Sequence, residues 1–313
     1  MNELIRIKRV SCVVLILCLL LPGIAALSEE PAPDGYAIHI TIPENQISGD
    51  TGYYDLLVTP GQQQALTGTI LNRADTEIEV LVQSNTAYTN ENGLVQFDGL
   101  NDTNDESMAV DFSSITTVVE PAGYDQPTAD DGSRKFDGVV YRVAAKGSTA
   151  FTLLVEVPEE GFDGAVLGGL MFTKLNQGDS DIESAFGLRN VYRYVKAVRL
   201  RESLDEVDPV FEMQSASASV DQVSRPLLHL GLRNPAPLLV HEITLRGSVY
   251  PASSEGAIFT FERNNISMAP NSAMLYNVKF DSKELPPSGE YRVSLELQYD
   301  DKIWKFEQPL IIP

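Results

Sequence analysis

Apolar and polar side chains alternate with a period of two along most of this chain. In the first half, Ile38, Ile40 and Ile42 fall on one face of the segment Ala37–Ile42. Successive side chains of a strand point to opposite faces, so this pattern predicts half-buried β-strands. The same alternation runs through Gln64–Asn72, Glu77–Thr86 and Ser148–Val157, and the turn pairs Pro60-Gly61, Asn92-Gly93 and Lys146-Gly147 fall between the runs.

The second half of the chain repeats this behaviour over about 100 residues. Seven strands in such a length is the size of one immunoglobulin-like sandwich. We therefore predict an all-β protein of two tandem immunoglobulin-like β-sandwich domains, residues 37–203 and 207–313, with a boundary in the polar stretch Glu202–Pro209. The seven predicted strands are Phe211–Val220, Pro226–Asn234, Leu239–Tyr250, Ala257–Arg263, Met274–Phe280, Tyr291–Tyr299 and Ile303–Ile312.

The N-terminus has the order of an export signal. A basic start with Arg6 is followed by the apolar run Val10–Leu21, a Pro-Gly break and the small residues Ala25 and Ala26. This order predicts a signal peptide at residues 1–26, followed by a disordered leader at 27–36. The alternative is an uncleaved anchor, although the apolar run is short for a membrane span.

Cysteine usage and charge exclude several classes of function. Cys12 and Cys18 are the two cysteines of the chain, and both lie in the predicted signal peptide. A mature chain without cysteine has no disulfide, thiolate nucleophile or Cys-ligated metal. The formal net charge of −21 disfavours nucleic acid and anionic lipid as partners.

One acidic region, residues 98–137, interrupts the alternation. Long excursions on a β scaffold are often functional, but a solvated insertion with a short helix is an equal alternative. Asp102, Asp105 and Glu106 supply oxygen atoms of the kind that Ca²⁺ prefers. The order of ligands in a calcium-binding loop is missing, so a solvated loop is favoured over a calcium site.

The residues give little sign of catalysis. The three histidines are far apart, and no zinc spacing, G-x-S-x-G elbow or nucleotide fingerprint occurs. Alternation places His39 and His229 on outward faces and Trp304 and Phe306 in the core. It also places His241 on the face of Ile243 and Leu245, as a satisfied core or rim histidine. We predict no enzyme activity and no cofactor.

Glycan binding needs aromatic faces beside amide groups. The candidates for it are Tyr53, Tyr54, Asn85, Tyr88 and Asn90. The alternative is that the tyrosines are ordinary half-buried strand residues, which is favoured because Tyr is common in strands.

Several ordered stretches of the chain resemble the WxL-interacting surface proteins of Gram-positive bacteria. They cover most of residues 37–312, and their order and spacing together carry the resemblance. The stretches are Tyr53-Tyr54-Asp55-Leu56, Asn85–Phe97, Gly168-Gly169, Val198-Arg199-Leu200, Leu232-Arg233-Asn234, Met268-Ala269-Pro270-Asn271-Ser272, Gly289-Glu290-Tyr291 and Lys302–Phe306.

The resemblance implies a peptidoglycan-binding first domain and a second domain that binds host proteins, including those of the extracellular matrix. It also implies WxL-domain surface proteins as partners and a secreted protein at the Gram-positive cell wall. Family members continue into a C-terminal transmembrane helix, which this sequence does not show, so we expect no stable membrane anchor beyond the signal peptide. A secreted chaperone or assembly factor is the alternative, and a wall-active hydrolase is a third hypothesis.

Overall fold

The computed structural model describes residues 35–47, 49, 51–101, 104–175 and 193–312. These residues form strands, turns and a single short 3-10 helix, so the prediction of an all-β fold is confirmed. The signal peptide at 1–26 lies outside the described residues and stays a prediction. No helix in the described ranges has the length and apolar character needed to cross a membrane.

Eleven strands of the described chain form the first sandwich and its hairpin. The predicted runs of the sequence reappear in them with ends shifted by one or two residues. The strands are β1 (Tyr36–Ile40), β2 (Tyr54–Leu57), β3 (Gln63–Asn72), β4 (Ile78–Thr86), β5 (Tyr88–Thr89), β6 (Val95–Gln96), β7 (Thr116–Val118), β8 (Val139–Val143), β9 (Ser148–Glu156), β10 (Ala165–Lys174) and β11 (Arg193–Arg201).

Two sheets of the first sandwich enclose a single apolar core. One has the order β1-β3-β9-β7, and the other has the order β2-β11-β10-β4-β8. Leu66 and Ile70 on β3 are buried against it, as the alternation predicts. Between them, Gly68 has no room for a side chain, because a Cβ would lie 2.4 Å from the Phe151 ring. The period-two pattern therefore identifies the inward face correctly, including the position of the glycine.

The acidic insertion 98–137 packs against this sandwich and is only partly exposed to solvent. It contains the 3-10 helix Phe112–Ile115, in line with the short helix expected there, and it returns as β7, which pairs with β9. Phe112 is fully buried over Gly168 of β10, where a Cβ would lie 1.9 Å from the ring. One aromatic side chain thus anchors the insertion in the core.

The second sandwich contains the seven strands that the sequence predicts. Its sheets have the orders β12-β13-β16 and β15-β14-β17-β18, and they enclose a second apolar core. The strands are β12 (Glu212–Val220), β13 (Pro226–Asn234), β14 (Val240–Pro251), β15 (Phe259–Met268), β16 (Ser272–Lys279), β17 (Gly289–Tyr299) and β18 (Lys302–Ile312).

One face assignment in the second sandwich is wrong. His241 is exposed, whereas Ile243 and Leu245 are buried. The register of β14 against β15 shifts between Val240 and Ile243, and Glu242 has a φ of 59°. A bulge of this kind adds a residue and turns the preceding side chain to the other face. Trp304 and Phe306 do pack against the core, as predicted, with the Trp304 ring 4.9 Å from that of Phe211.

Residues 34–313 form one compact unit that contains both sandwiches. The chain passes from β11 to β12 through the polar stretch Glu202–Pro209, in which no strand occurs. The domain limits 37–203 and 207–313 stay predictions.

Candidate functional site

Two of the resembling stretches pair with each other inside the first sandwich. Strand β2 runs parallel to β11, so that Tyr54 faces Val198 and Asp55 faces Arg199. Asp55 is fully buried and accepts hydrogen bonds from Arg199 Nε at 2.9 Å and from Arg201 Nη2 at 2.9 Å. A buried carboxylate held by two guanidinium groups is a structural clamp, because loss of either partner leaves charge uncompensated.

A second pair of these stretches meets between the sandwiches, through the hairpin β5–β6. At its tip, Asn90 Oδ1 accepts from the backbone N–H groups of Asn92 and Leu94, and Gly93 has a φ of 71°. A Cβ on Gly93 would lie 2.7 Å from Ile266 of β15. The tip is therefore shaped to press against the second sandwich.

Hydrogen bonds fix this hairpin to the edges of β15 and β16. Thr89 Oγ1 lies 2.7 Å from Ser272 Oγ and accepts from the Ala269 N–H at 2.9 Å, and all three residues are buried. The Ser267 N–H donates to Gly93 O, and the Asn277 N–H donates to Glu91 O. The stretch Asn85–Phe97 and the stretch Met268–Ser272 therefore form the junction of the two sandwiches.

An ion pair between Arg233 and Asp105 also joins the two sandwiches at this junction. Arg233 of β13 donates to both carboxylate oxygens of Asp105, at 2.8 and 3.0 Å, and also reaches Glu106 and Glu212. Although burial acts to raise it, hydrogen bonds from Arg233 and Ser107 hold the pKa of Asp105 below its ordinary value. Asp105 is therefore an anion that links the acidic insertion to the second sandwich.

The calcium candidates that the structure describes, Asp105 and Glu106, do not lie in similar surroundings. The Asp105 carboxylate is paired with a guanidinium, Glu106 is exposed, and Asp102 lies outside the described residues. Within those residues, no group of three or more His, Cys, Asp or Glu side chains is arranged to hold a metal ion.

The glycan candidates do not form one cluster. Tyr54 is fully buried and donates its hydroxyl to Thr67 O, and burial raises its pKa, so its ring cannot stack on a sugar. Tyr53 and Tyr54 are separated from Asn85 by strands β11 and β10. Burial and a hydrogen bond to Asp98 raise the pKa of the half-buried Tyr88 to about 12. Asn90 is occupied by the turn described above.

Two of the open grooves near the junction adjoin each other, and sequence reasoning missed most of their residues. We name the first the outer groove; it has a volume of about 580 Å³ and lies on the first sandwich. The junction groove, of about 330 Å³, lies between the sandwiches and includes Tyr88. Asn101 and Asn104 line both grooves, so the two adjoin. The other polar residues of the outer groove are Ser84, Asn85, Thr86, Asp111, Ser113, Thr116, Thr117, Arg134 and Asp137, and those of the junction groove are Asp105, Glu106, Gln214, Asn271 and Ser272.

Asp111 organises the floor of the outer groove. Its carboxylate accepts from Thr86 Oγ1, from the Ser113 N–H at 3.0 Å and from Asn104 Nδ2 at 3.1 Å. Burial opposes these bonds, but together they hold the pKa of Asp111 below its ordinary value. Asn85 is fixed in the same way, because its Nδ2 donates to Phe97 O at 2.8 Å. The lining side chains are therefore held in place before any ligand arrives.

One histidine has neighbours of the kind that the hydrolase hypothesis requires. His229 Nε2 lies 2.7 Å from Ser219 Oγ, and its Nδ1 lies 2.6 Å from Asn277 Oδ1. Asn277 in turn donates to Glu91 at 2.9 Å. The order resembles a Ser-His-amide arrangement, but Ser219 stands exposed on edge strand β12 beside an open groove. His39 and His241 are both exposed and line neither this groove nor the other two.

The family models decide the relationship of the chain. One, described as the WxL-interacting protein peptidoglycan binding domain, matches residues 36–122, and another, described as the WxL-interacting protein host binding domain, matches residues 183–313. The chain belongs to the WxL-interacting protein family. The two matches together cover more than half of the chain and follow the order that the resemblance predicts. The second match includes β11, although that strand lies in a sheet of the first sandwich.

Comparisons with other proteins add little to the family assignment. No curated protein sequence matches this WxL-interacting protein significantly. Among solved structures it is similar to the CupB2 chaperone of Pseudomonas aeruginosa, with 13% identity, 81% of this chain and 96% of that chain covered, and a TM-score of 0.30. It is also similar to the CsuC–CsuE chaperone complex of Acinetobacter baumannii, with 12% identity, 80% and 92% covered, and a TM-score of 0.32. Scores this low carry no argument about function.

Proposed function

We propose that this protein is a non-catalytic adaptor at the Gram-positive cell wall. Its first sandwich attaches to peptidoglycan, and its second sandwich binds a host extracellular-matrix protein or a WxL-domain surface protein. The observation that carries the proposal is that two binding-domain models of one family match in order, one over β1 to β7 of the first sandwich and the other over the whole of the second sandwich.

The junction supports an adaptor in which both sandwiches move as one body. The hairpin and the Asp105–Arg233 pair tie the first sandwich to the second through buried contacts. A rigid link keeps the two binding surfaces at a fixed separation. Binding of both ligands at once then does not carry the free-energy cost of ordering a flexible linker. Such a link suits a protein that holds a partner at a fixed distance from the wall.

The acidic charge supports a protein partner with a basic surface. The formal charge of −21 steers cationic patches toward the protein and repels polyanions, and this effect weakens as salt increases.

Co-sedimentation with purified cell walls tests the proposal. The full-length chain should co-sediment with walls stripped of teichoic acid and protein, and the wall-bound chain should then retain a matrix or WxL-domain protein in a second step. If the chain stays in the supernatant but its deletion strips other proteins from the cell surface, an assembly factor is the correct function and our proposal is wrong.

A further inference from the structure

The outer and junction grooves adjoin at Asn101 and Asn104, and this continuity crosses from one sandwich to the other. The outer groove belongs to the first sandwich, whereas the junction groove includes Gln214 and Asn271 of the second. Building on the proposed function, we propose that the two grooves form one site for the uncharged glycan strand of peptidoglycan. The site is then incomplete without the second sandwich.

The chemistry of the lining favours a ligand rich in hydroxyl and amide groups over hydrocarbon. Amide side chains such as Asn85, Asn101 and Asn104 offer both donors and acceptors, and the threonine and serine hydroxyls do the same. Sugar hydroxyls and N-acetyl groups also present both kinds of group. A ligand of this class can therefore replace the water that hydrates the groove, bond for bond.

The charge of the groove lining favours a neutral cell-wall polymer over an anionic one. Among the described residues, the charged ones that line the outer groove are Asp111, Arg134 and Asp137, and Arg134 is already paired with Glu120. In the junction groove Asp105 and Glu106 share Arg233. A phosphate polymer such as teichoic acid would meet an excess of negative charge, whereas a neutral hexosamine chain would not.

The groove also contains polar side chains that remain available for a ligand. Thr117, Asp137 and Gln214 are exposed and line the grooves. None of the three makes a side-chain hydrogen bond or ion pair within the described part of the chain. Their neighbours Asn85 and Asn104 are fixed by Phe97 and Asp111, so binding orders few additional side chains.

The test measures binding of the full-length chain to teichoic acid-free peptidoglycan and to a soluble oligomer of N-acetylglucosamine. The variant Thr117→Ala/Asp137→Ala/Gln214→Ala should bind both at least about tenfold more weakly, because three ligand hydrogen bonds are lost. The variant Thr117→Trp should block the outer groove by bulk without removing a charge. The matched control Thr260→Ala/Asp163→Ala/Gln222→Ala changes the same residue types at exposed positions outside both grooves and should bind as the unchanged protein does.

The outcomes separate this proposal from the proposed function. If the unchanged chain binds no wall, the proposed function itself is wrong. If it binds walls and the groove variants bind equally well, the glycan site is wrong while the proposed function stands. Binding that needs teichoic acid, or that a stem peptide abolishes and the N-acetylglucosamine oligomer does not, would identify a different wall component and would also overturn the glycan site.

Discussion

The two sandwiches are of similar kind but complete their cores in different ways. The second is built from seven strands, which supply all of its buried core side chains except Phe211 and Phe280. The first depends on an insertion between β6 and β8 that returns Phe112 to the core and adds β7 to the sheet. The core of the second sandwich thus follows from the alternation of apolar residues within its own strands. In the first sandwich, the returning insertion also forms part of a polar groove.

Truncation of Phe112 should have the largest effect on the free energy of unfolding, because it removes the contact that holds the insertion against the first core. Phe112→Ala removes a fully buried ring over Gly168, and such a change costs about 3–5 kcal/mol of unfolding free energy. The sole tryptophan, Trp304, lies in the second sandwich, so its fluorescence reports that sandwich alone. In urea unfolding, Phe112→Ala should lower the Trp304 midpoint as well, because the junction couples the sandwiches.

Phe261→Ala is the matched control, since Phe261 packs over Gly247 in the second sandwich as Phe112 does over Gly168. Both variants should lower one shared transition. If Phe112→Ala leaves the Trp304 midpoint unchanged while circular dichroism shows an early transition, the two sandwiches unfold independently and the coupling is wrong.

Loss of Arg233 should separate the sandwiches. Arg233→Met leaves Asp105 buried without its partner, which costs about 3 kcal/mol. We expect the urea curve to split into two transitions. Arg246→Met is the control, because Arg246 pairs with Glu262 at an exposed site and should cost less than about 1 kcal/mol. Equal effects of the two variants would contradict a special role for the junction pair.

A methyl group on Gly93 should weaken the hairpin contact by a smaller amount. Gly93→Ala places a Cβ against Ile266 at a residue whose φ is 71°, and the left-handed backbone alone costs about 1–2 kcal/mol. Gly123→Ala has nearly the same φ and no atom within 4 Å, so it reports the backbone cost alone. The difference between the two melting temperatures isolates the contact with the second sandwich, and no difference would mean that the tip does not press on Ile266.

Acid should weaken the junction before it weakens the second core. Hydrogen bonds from Arg233 hold the pKa of Asp105 below its unfolded value, so this contribution to stability is present above the unfolded pKa of about 3.9 and is lost as pH falls through the folded pKa. The stability of the unchanged protein should therefore fall below about pH 4, as measured by urea midpoints across pH. Asp105→Asn should show a flatter profile in that range, and parallel profiles would refute the assignment.

The smallest effect is expected at Ser219. Because Ser219 is exposed, Ser219→Ala should change stability by less than about 0.5 kcal/mol. A fluorophosphonate probe should leave Ser219 unlabelled, since we propose that the protein is not catalytic. Labelling that Ser219→Ala abolishes would revive the hydrolase hypothesis.

Sequence alternation predicts the strands that bury one face, and it misses β10, which is buried on both faces. It predicts the second sandwich almost completely and misplaces His241, since the bulge near Glu242 depends on backbone geometry that alternation does not encode. For the glycan candidates the limit is different. Asn90 and Tyr88 have suitable chemistry, but their partners, Leu94 and Asp98, commit them to the hairpin and its surroundings.

The groove could not be predicted from the sequence because its walls come from distant segments. Asn85 and Asp137 meet in the outer groove, and Gln214 joins the junction groove, only after two sandwiches and an insertion have folded together. The available signal was the acidic insertion itself, which the sequence marks as unusual. The resembling stretches give a second signal, since Asp55 pairs with Arg199 and Thr89 with Ser272 across long sequence separations.

The hairpin has a consequence for any attempt to handle the second sandwich by itself. It saturates the outward N–H groups of Ser267 and Asn277 and covers the flanks of β15 and β16. A fragment that began after Pro209 would leave these groups bare, and bare strand flanks recruit other chains into mixed sheets. We therefore expect a C-terminal fragment without the hairpin to aggregate more readily than the whole chain does, because a segment more than a hundred residues upstream no longer covers these strands.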